Sequence, residues 1–325
     1  MEQPEYVVVG SGAGGGTLAA RLAEAGKRVL LLEAGGDPRE LKGGDAVDPD
    51  NRLPDDYDVP CFHGCSTENE ALKWDFFVRH YADLTQQKRD DKYVTEHDGV
   101  LYPRVGALGG CTAHNAMIMV YPHNEDWDHI ADITGDSSWG ASHMRTYFEK
   151  LENCHHRPFD RLLSEAGVNP SRHGFNGWLS TEKAIPESAL GDSTLVATIL
   201  SSAFDAFVRG GHEVDRVRWL FESQLDPNDW RIVNEKGVGL RYPPLTTRNH
   251  QRMGSRERVL EAKEKWGLQI ETDALVTKVL FDESGKRAVG VRPERRAIDE
   301  LACRIAKLGV DGLSRRDGVA ALCIG

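Results

Sequence analysis

Glu5-Tyr6-Val7-Val8-Val9 runs directly into Gly10-Ser11-Gly12-Ala13-Gly14-Gly15. No other stretch restricts the fold as much. The β-branched run reads as a short strand buried on both faces. The glycines satisfy G-x-G-x-x-G. Thr17–Ala25 is rich in small residues and reads as a helix, which Gly26 ends. Arg28-Val29-Leu30-Leu31-Leu32 reads as a second buried strand with Glu33 at its end. The order strand, glycine loop, helix, strand, acid describes a β-α-β unit that holds a dinucleotide. Gly10 permits the tight turn, Gly12 lets the backbone approach a pyrophosphate, and Gly15 lets the helix pack close to the strand. Ser11, Ala13 and Gly14 complete the loop, and the first turn of the helix offers free N–H groups to phosphate. Glu33 stands 23 residues after Gly10, where an acid meets a ribose hydroxyl, and Ala34 follows it.

The nicotinamide and flavin dinucleotides share the adenosine ribose, so Glu33 alone does not choose between them. A nicotinamide-dependent dehydrogenase would continue through further β-α units. Residues 36–60 are instead rich in Gly, Pro and Asp and read as loop. That long excursion suits an FAD-binding fold better, and an NAD-dependent dehydrogenase is the distant alternative.

Bulk properties narrow the function further. The chain has 325 residues and a formal charge of −11. That charge, with no basic run, argues against nucleic acid and against an anionic membrane surface. No apolar run approaches the roughly 18–20 residues of a spanning helix. MEQPEYVVVGSG lacks the basic and apolar regions of a secretion signal, so a cytoplasmic location is expected. Six cysteines in a chain of this length do not read as a disulfide framework. Cys61-Phe-His63-Gly-Cys65 and Cys154-His155-His156 contain no C-x2-C pair, and no metal site is expected. His63, His80, His97, His123, His129 and His143 are read as surface or loop residues.

A second glycine string, Leu108-Gly109-Gly110-Cys111-Thr112-Ala113-His114-Asn115-Ala116-Met117, is the other informative feature. Two glycines would let backbone N–H groups face a pyrophosphate or flavin ring with no Cβ in the way. Cys111 is small, Thr112 can donate to a phosphate or ring oxygen, and Asn115 offers a donor and acceptors to a polar ring edge. Ala116 and Met117 start the apolar run behind them.

This string resembles the first signature of the glucose–methanol–choline (GMC) oxidoreductases. Residues 10–35 are similar to that family's N-terminal FAD motif. Trp74-Asp75-Phe76, Glu125-Asp126-Trp127-Asp128, Trp139, Tyr147, Phe148 and Glu152 resemble its intervening segments. His173-Gly174-Phe175-Asn176-Gly177-Trp178 resembles the turn that opens its substrate domain. Ala274–Val279 and Ala288–Val291 look like a strand pair of its flavin domain, so the match spans about residues 5–291. The resemblance implies FAD held by Gly10, Ser11, Gly12, Ala13, Gly14, Gly15, Glu33, Ala34, Leu108, Gly109, Gly110, Cys111, Thr112, His114, Asn115, Ala116 and Met117, with Val276 against the adenine. Most of the family carries an aliphatic residue at the place of His114. The choline-oxidase-like branch carries histidine there, bonded covalently to the flavin. His114 is therefore either a covalent attachment point or only a hydrogen-bonding neighbour of the ring. The family's Arg-Gly-Lys is here Arg104-Val105-Gly106, without the lysine.

The resemblance implies an α/β fold: a Rossmann-like FAD-binding domain with a parallel sheet and helices, plus part of an α+β substrate domain. The expected limits are 1–160 for the first part of the FAD-binding domain, 161–229 for a partial substrate or cap domain, 230–291 for the returning FAD-binding part, and 292–325 for an atypical tail. It also implies hydride transfer from the CH–OH group of an alcohol to FAD, in a choline-dehydrogenase-like manner. The alcohol and the acceptor (oxygen, a quinone or another carrier) stay open. The family's catalytic histidine lies beyond residue 325, so none is assigned, and the Arg-rich tail suggests a C-terminally truncated chain. The alternative is an FAD-binding fragment without catalysis. Three further elements are expected: a helix from Trp139 to Glu152, a helix over 187–211, and a helix from Met253 with Ser255 as N-cap, followed by a strand over Leu268–Val279.

Overall fold

A computed structural model describes residues 3–41, 54–184, 193–194, 225–237 and 241–295. The expected helix over 187–211 therefore falls outside the described residues, apart from Ser193 and Thr194. The chain divides into two compact units. One comprises residues 1–116 and 254–325; the other comprises 117–253. The changeovers fall inside two stretches that the sequence assigns to single domains, 1–160 and 230–291. Glycines and backbone crossings, described below, tie 106–110 and 254–256 to the first strands, and neither tie has a hydropathy signature.

The first unit is built on the β-α-β motif. Strand Tyr6–Val9, helix Ala13–Glu24 and strand Val29–Leu32 follow one another. The two strands pair in parallel with Val8 opposite Leu31. Strand Gln269–Glu271 adds in parallel on the far side of Val29–Leu32. The middle strand is the most deeply buried, with Val29, Leu31 and Leu32 at 2% exposure or less. The first strand is not buried on both faces as its composition suggests: Tyr6 and Val7 are 43% and 41% exposed. It forms the edge of this sheet among the described residues, so only Val8 is fully covered.

Ala19, Ala20 and Ala23 of the first helix pack on Val8, Val29 and Leu31, and against Val259 and Ala262 of helix Ser255–Trp266. Small residues let two helices and a sheet approach closely. A Cβ at Gly16 would meet the Ser11 carbonyl oxygen at 2.6 Å and Val259 Cγ1 at 3.2 Å. Helix Ser255–Trp266 starts one residue earlier than the sequence suggests. Gly254 is its N-cap, and the Glu257 carboxylate accepts from the Gly254 N–H at 2.9 Å. Ser255 is freed from capping for another contact. The strand expected over Leu268–Val279 is two strands, Gln269–Glu271 and Ala274–Phe281, broken at Asp273 with φ +54°. Ala274–Phe281 forms an antiparallel hairpin with Ala288–Arg295, so regular structure continues past Val291. A three-stranded antiparallel sheet, Lys73–Val78, Gly99–Val105 and Tyr93–Val94, completes the unit.

In the second unit the expected Trp139–Glu152 helix spans Ala141–Leu151, because Gly140 separates it from a turn at Ser137–Trp139. Glu152 begins a short strand, Glu152–Cys154, parallel to Leu179–Lys183. Tyr121, Phe148 and Val233 form the apolar core. Arg145 is fully buried beside it. Its guanidinium faces the rings of Phe148, Tyr121 and Trp230 at 4.5, 4.9 and 5.3 Å, and donates to the carbonyls of Ser171, Arg172 and Asn228. No described helix is long and apolar enough to cross a membrane.

Candidate functional site

The two glycine strings, a hundred residues apart in sequence, meet in the first unit. Gly10 turns the chain out of the first strand at φ +87°, a conformation that costs an L-residue about 1–2 kcal/mol. Gly12 is the N-cap of the first helix, with no side chain covering the helix end. Ala13 and Gly14, in the first turn, are exposed. The free N–H groups of that turn and the positive end of the helix dipole therefore face outward, ready for an anion. A Cβ at Gly15 would overlap the Gly10 carbonyl.

Gly109 and Gly110 carry φ of +102° and +54°. A Cβ at Gly110 would stand 2.7 Å from Gly12 Cα and 3.3 Å from Gly12 N. Backbone thus touches backbone, and no side chain stands between the loops. Ser11 joins them: its Oγ accepts from the Gly109 N–H at 2.8 Å and donates to Glu33 Oε2 at 2.5 Å, and its own N–H donates to the same oxygen at 2.9 Å. Glu33 Oε1 accepts from the Gly35 N–H at 3.1 Å. Glu33 is 6% exposed. Burial pushes its carboxyl above the ordinary carboxylate range, and the hydrogen bonds from Ser11 and Gly35 oppose that rise. The Leu108 N–H donates to the Gly36 carbonyl at 2.9 Å, and Gly36 bridges in parallel to Ala107, so the segments after both strings run side by side.

Other residues named from the sequence take varied places. Leu108 belongs to the apolar core with Val8, Leu31 and Val259, at 2% exposure, which makes it a packing residue. The Thr112 hydroxyl donates to the Gly109 carbonyl at 2.7 Å and accepts from the Ser255 N–H at 3.0 Å, so it braces the loop. Cys111, His114, Ala116 and Ala34 are half-buried, and Asn115 is exposed. The His114 carbonyl accepts from Thr67 Oγ1 at 3.3 Å. Val276 is half-buried on the strand whose first residue, Ala274, donates to the Glu33 carbonyl at 2.9 Å. Met117 belongs to the second unit, where it is buried with φ +60° and its carbonyl accepts from the Thr246 N–H.

Two contributors escape a sequence reading. Ser255 Oγ donates to the Ser11 carbonyl at 2.7 Å and lies 3.1 Å from that of Gly12, pinning the first loop. Arg256 makes a two-pronged ion pair with Asp37, at 2.7 and 2.8 Å, and Tyr57 donates to Glu257 beside it. That pairing, offset against partial burial, holds the Asp37 carboxyl below its ordinary value. Two hundred residues or more separate each pair of partners, and only the fold reveals them.

The residues fit FAD on the features just described: an uncapped, exposed helix start, paired glycines at the second loop, and a buried acid one hydrogen bond from the first glycine string and two from the second. The GMC oxidoreductase family model matches residues 5–302. An alcohol dehydrogenase [acceptor] of Pseudomonas putida is 29% identical over 290 residues, covering 88% of this chain and 41% of that protein. An oxygen-dependent choline dehydrogenase of Pectobacterium atrosepticum is 26% identical, covering 88% and 42%. Among solved structures, pyridoxine 4-oxidase from Mesorbium loti superposes with a TM-score of 0.56 at 20% identity, covering 90% of this chain and 46% of that one. A formate oxidase of Aspergillus oryzae gives 0.57 at 18%, covering 89% and 42%. The chain spans about half the length of the curated relatives it matches. It belongs to the GMC oxidoreductase family, and FAD is the cofactor that its paired glycine loops fit.

Proposed function

We propose that this chain holds FAD across the Gly10–Gly15 and Gly109–Gly110 loops as part of an FAD-dependent oxidoreductase acting on the CH–OH group of an alcohol, in the manner of the choline dehydrogenases. The carrying observation is the Glu33–Ser11–Gly109 chain of hydrogen bonds, which ties the ribose-binding acid to both loops. FAD supplies the hydride-accepting ring when bound. The chain's own residues supply the frame. The first turn of helix Ala13–Glu24 presents N–H groups to the pyrophosphate. Glu33 accepts from ribose hydroxyls. The Gly109–Gly110 backbone, fixed by Ser11 and by the Thr112–Ser255 brace, brings the second loop against Gly12 at the start of that helix. The same proposal includes covalent attachment through His114, which follows the turn Gly110–Ala113. It also includes a cytoplasmic location, supported by the free thiols of Cys61, Cys65, Cys111 and Cys154.

Choline and simple primary alcohols, offered with a dye acceptor to the FAD-loaded chain, test the activity. Alcohol-dependent bleaching of the dye is expected, and its absence across the panel would leave a flavin-binding chain without this reaction. Acid precipitation tests the link: flavin should stay with the wild-type precipitate and leave with His114→Ala. Full release from the wild type would end the covalent reading.

A further inference from the structure

The second unit holds a buried cluster that the flavin site does not use. Glu152 and Cys154 are two apart on one strand, so their side chains share a face. His156 follows at the same period just beyond the strand. Glu152, Cys154 and Asp226 have no exposed surface; His173 is 1% and His156 is 8% exposed. His173 is pressed against this face by glycines. A Cβ at Gly174 would meet the Glu152 carbonyl oxygen at 2.5 Å, and Gly177 lies as close to the same oxygen.

We infer that Cys154, His156, His173 and Glu152 form a binding site for a divalent transition-metal ion of the zinc class. Ligand atoms of Glu152, Cys154 and His173 all lie within 4.8 Å of one another. Cys154 Sγ lies 3.6 Å from His156 Nδ1, and His173 Nδ1 lies 2.8 Å from Glu152 Oε2. With metal–sulfur and metal–nitrogen bonds of about 2.3 and 2.0–2.1 Å, neighbouring ligands of a tetrahedral ion stand about 3.3–3.6 Å apart, so small shifts admit the ion. Asp226 supplies the orientation. Its Oδ2 lies 3.0 Å from His173 Nε2 and 3.2 Å from His156 Nε2. The carboxylate accepts from His156 Nε2, which leaves His156 Nδ1 on the Cys154 side, and it lies beside His173 Nε2, so one acid stands behind both rings as acidic residues do behind metal-bound histidines. Thr181 Oγ1 and the Gly174 N–H hold the Glu152 carboxylate at 2.9 and 3.0 Å. A thiolate, a carboxylate and two neutral imidazoles balance a dication. The ion replaces the Cys154 S–H proton and the Nδ1 protons, which leave to solvent. The soft sulfur with two imidazoles favours zinc over calcium or magnesium.

The test is cobalt substitution of the full chain after dialysis against a chelator. One Co2+ per chain should give a thiolate-to-cobalt charge-transfer band and the visible bands of a tetrahedral ion, read as a difference spectrum against the metal-free chain. Zinc should displace it. Cys154→Ser should abolish the charge-transfer band and Cys61→Ser should keep it. Asp226→Asn should weaken binding about 10–100-fold. Direct zinc analysis of the wild type as isolated does not depend on any variant folding, and about one ion per chain is expected. Absence of both zinc and the cobalt bands in the wild type would overturn the site and leave a proton-bridged ionic network. A band that survives in Cys154→Ser would overturn it too.

Discussion

If the two glycine strings touch as described, a single methyl group at Gly110 separates them. Gly110→Ala brings two costs. The residue sits at φ +54°, which costs an L-residue about 1–2 kcal/mol. Its Cβ stands 2.7 Å from Gly12 Cα, whereas carbon atoms rest at about 3.5–4.0 Å, so one backbone must move by about 1 Å. Such overpacking costs about 1–3 kcal/mol. The sum is about 2–5 kcal/mol. Gly26→Ala isolates the first cost, because Gly26 has φ +77° and open space around its Cβ position. Gly14→Ala is the opposite control: nothing lies within 4 Å, and alanine favours a helix over glycine by about 1 kcal/mol. Urea unfolding followed by circular dichroism should therefore rank Gly14→Ala above wild type, Gly26→Ala below it and Gly110→Ala lowest. FAD affinity should fall by at least about tenfold, or about 1.4 kcal/mol, in Gly110→Ala and not in Gly26→Ala. Equal stability of Gly110→Ala and Gly26→Ala would show that the loops do not touch.

Other residues give sharper local expectations. Glu33 carries a raised folded-state pKa, so without FAD the chain should lose stability as pH rises from about 4.5 through that value, by about 1.4 kcal/mol per unit of difference; FAD affinity should rise over the same window because the ionised form binds ribose. Thermal midpoints and flavin titrations across pH would check both directions. Asp37 has the opposite sign: its pair with Arg256 stabilises above the unfolded carboxyl's range and is lost as pH falls through the lowered value, and Asp37→Asn should cost about 2–4 kcal/mol at neutral pH in urea unfolding. Leu31→Ala, in the fully buried middle strand, should cost about 2–5 kcal/mol, whereas Phe159→Ser, at 69% exposure, should leave the unfolding midpoint within about 0.5 kcal/mol of wild type.

What could be read from the sequence was local. Strand, glycine loop, helix, strand and acid follow one another within thirty residues, and each has a composition forced by backbone geometry. The string at 108–117 was legible for the same reason. The rest depends on chain crossings that leave no local trace. Leu108 looks like part of a cofactor motif yet faces the core. Gly16 and Gly35 are required by close backbone approach and Gly106 by the Trp74 indole packed against it, which composition does not signal. Tyr6 and Val7 look like core residues but lie on a sheet edge. The buried cluster draws Glu152, Cys154, His156, His173 and Asp226 from three separate segments. Cys154-His155-His156 is visible in the sequence but is set aside there for want of a C-x2-C pair, and the alternation at 152, 154 and 156 is hidden by reading Glu152 as the end of a helix.

The account rests on one cradle made from both glycine strings. The visible spectrum of the purified chain, incubated with FAD and passed through a desalting column, tests it most directly. One flavin per chain with a resolved, protein-bound spectrum, lost in Gly110→Ala, is the predicted result. A colourless chain whose far-ultraviolet circular dichroism still shows a folded α/β protein would contradict it.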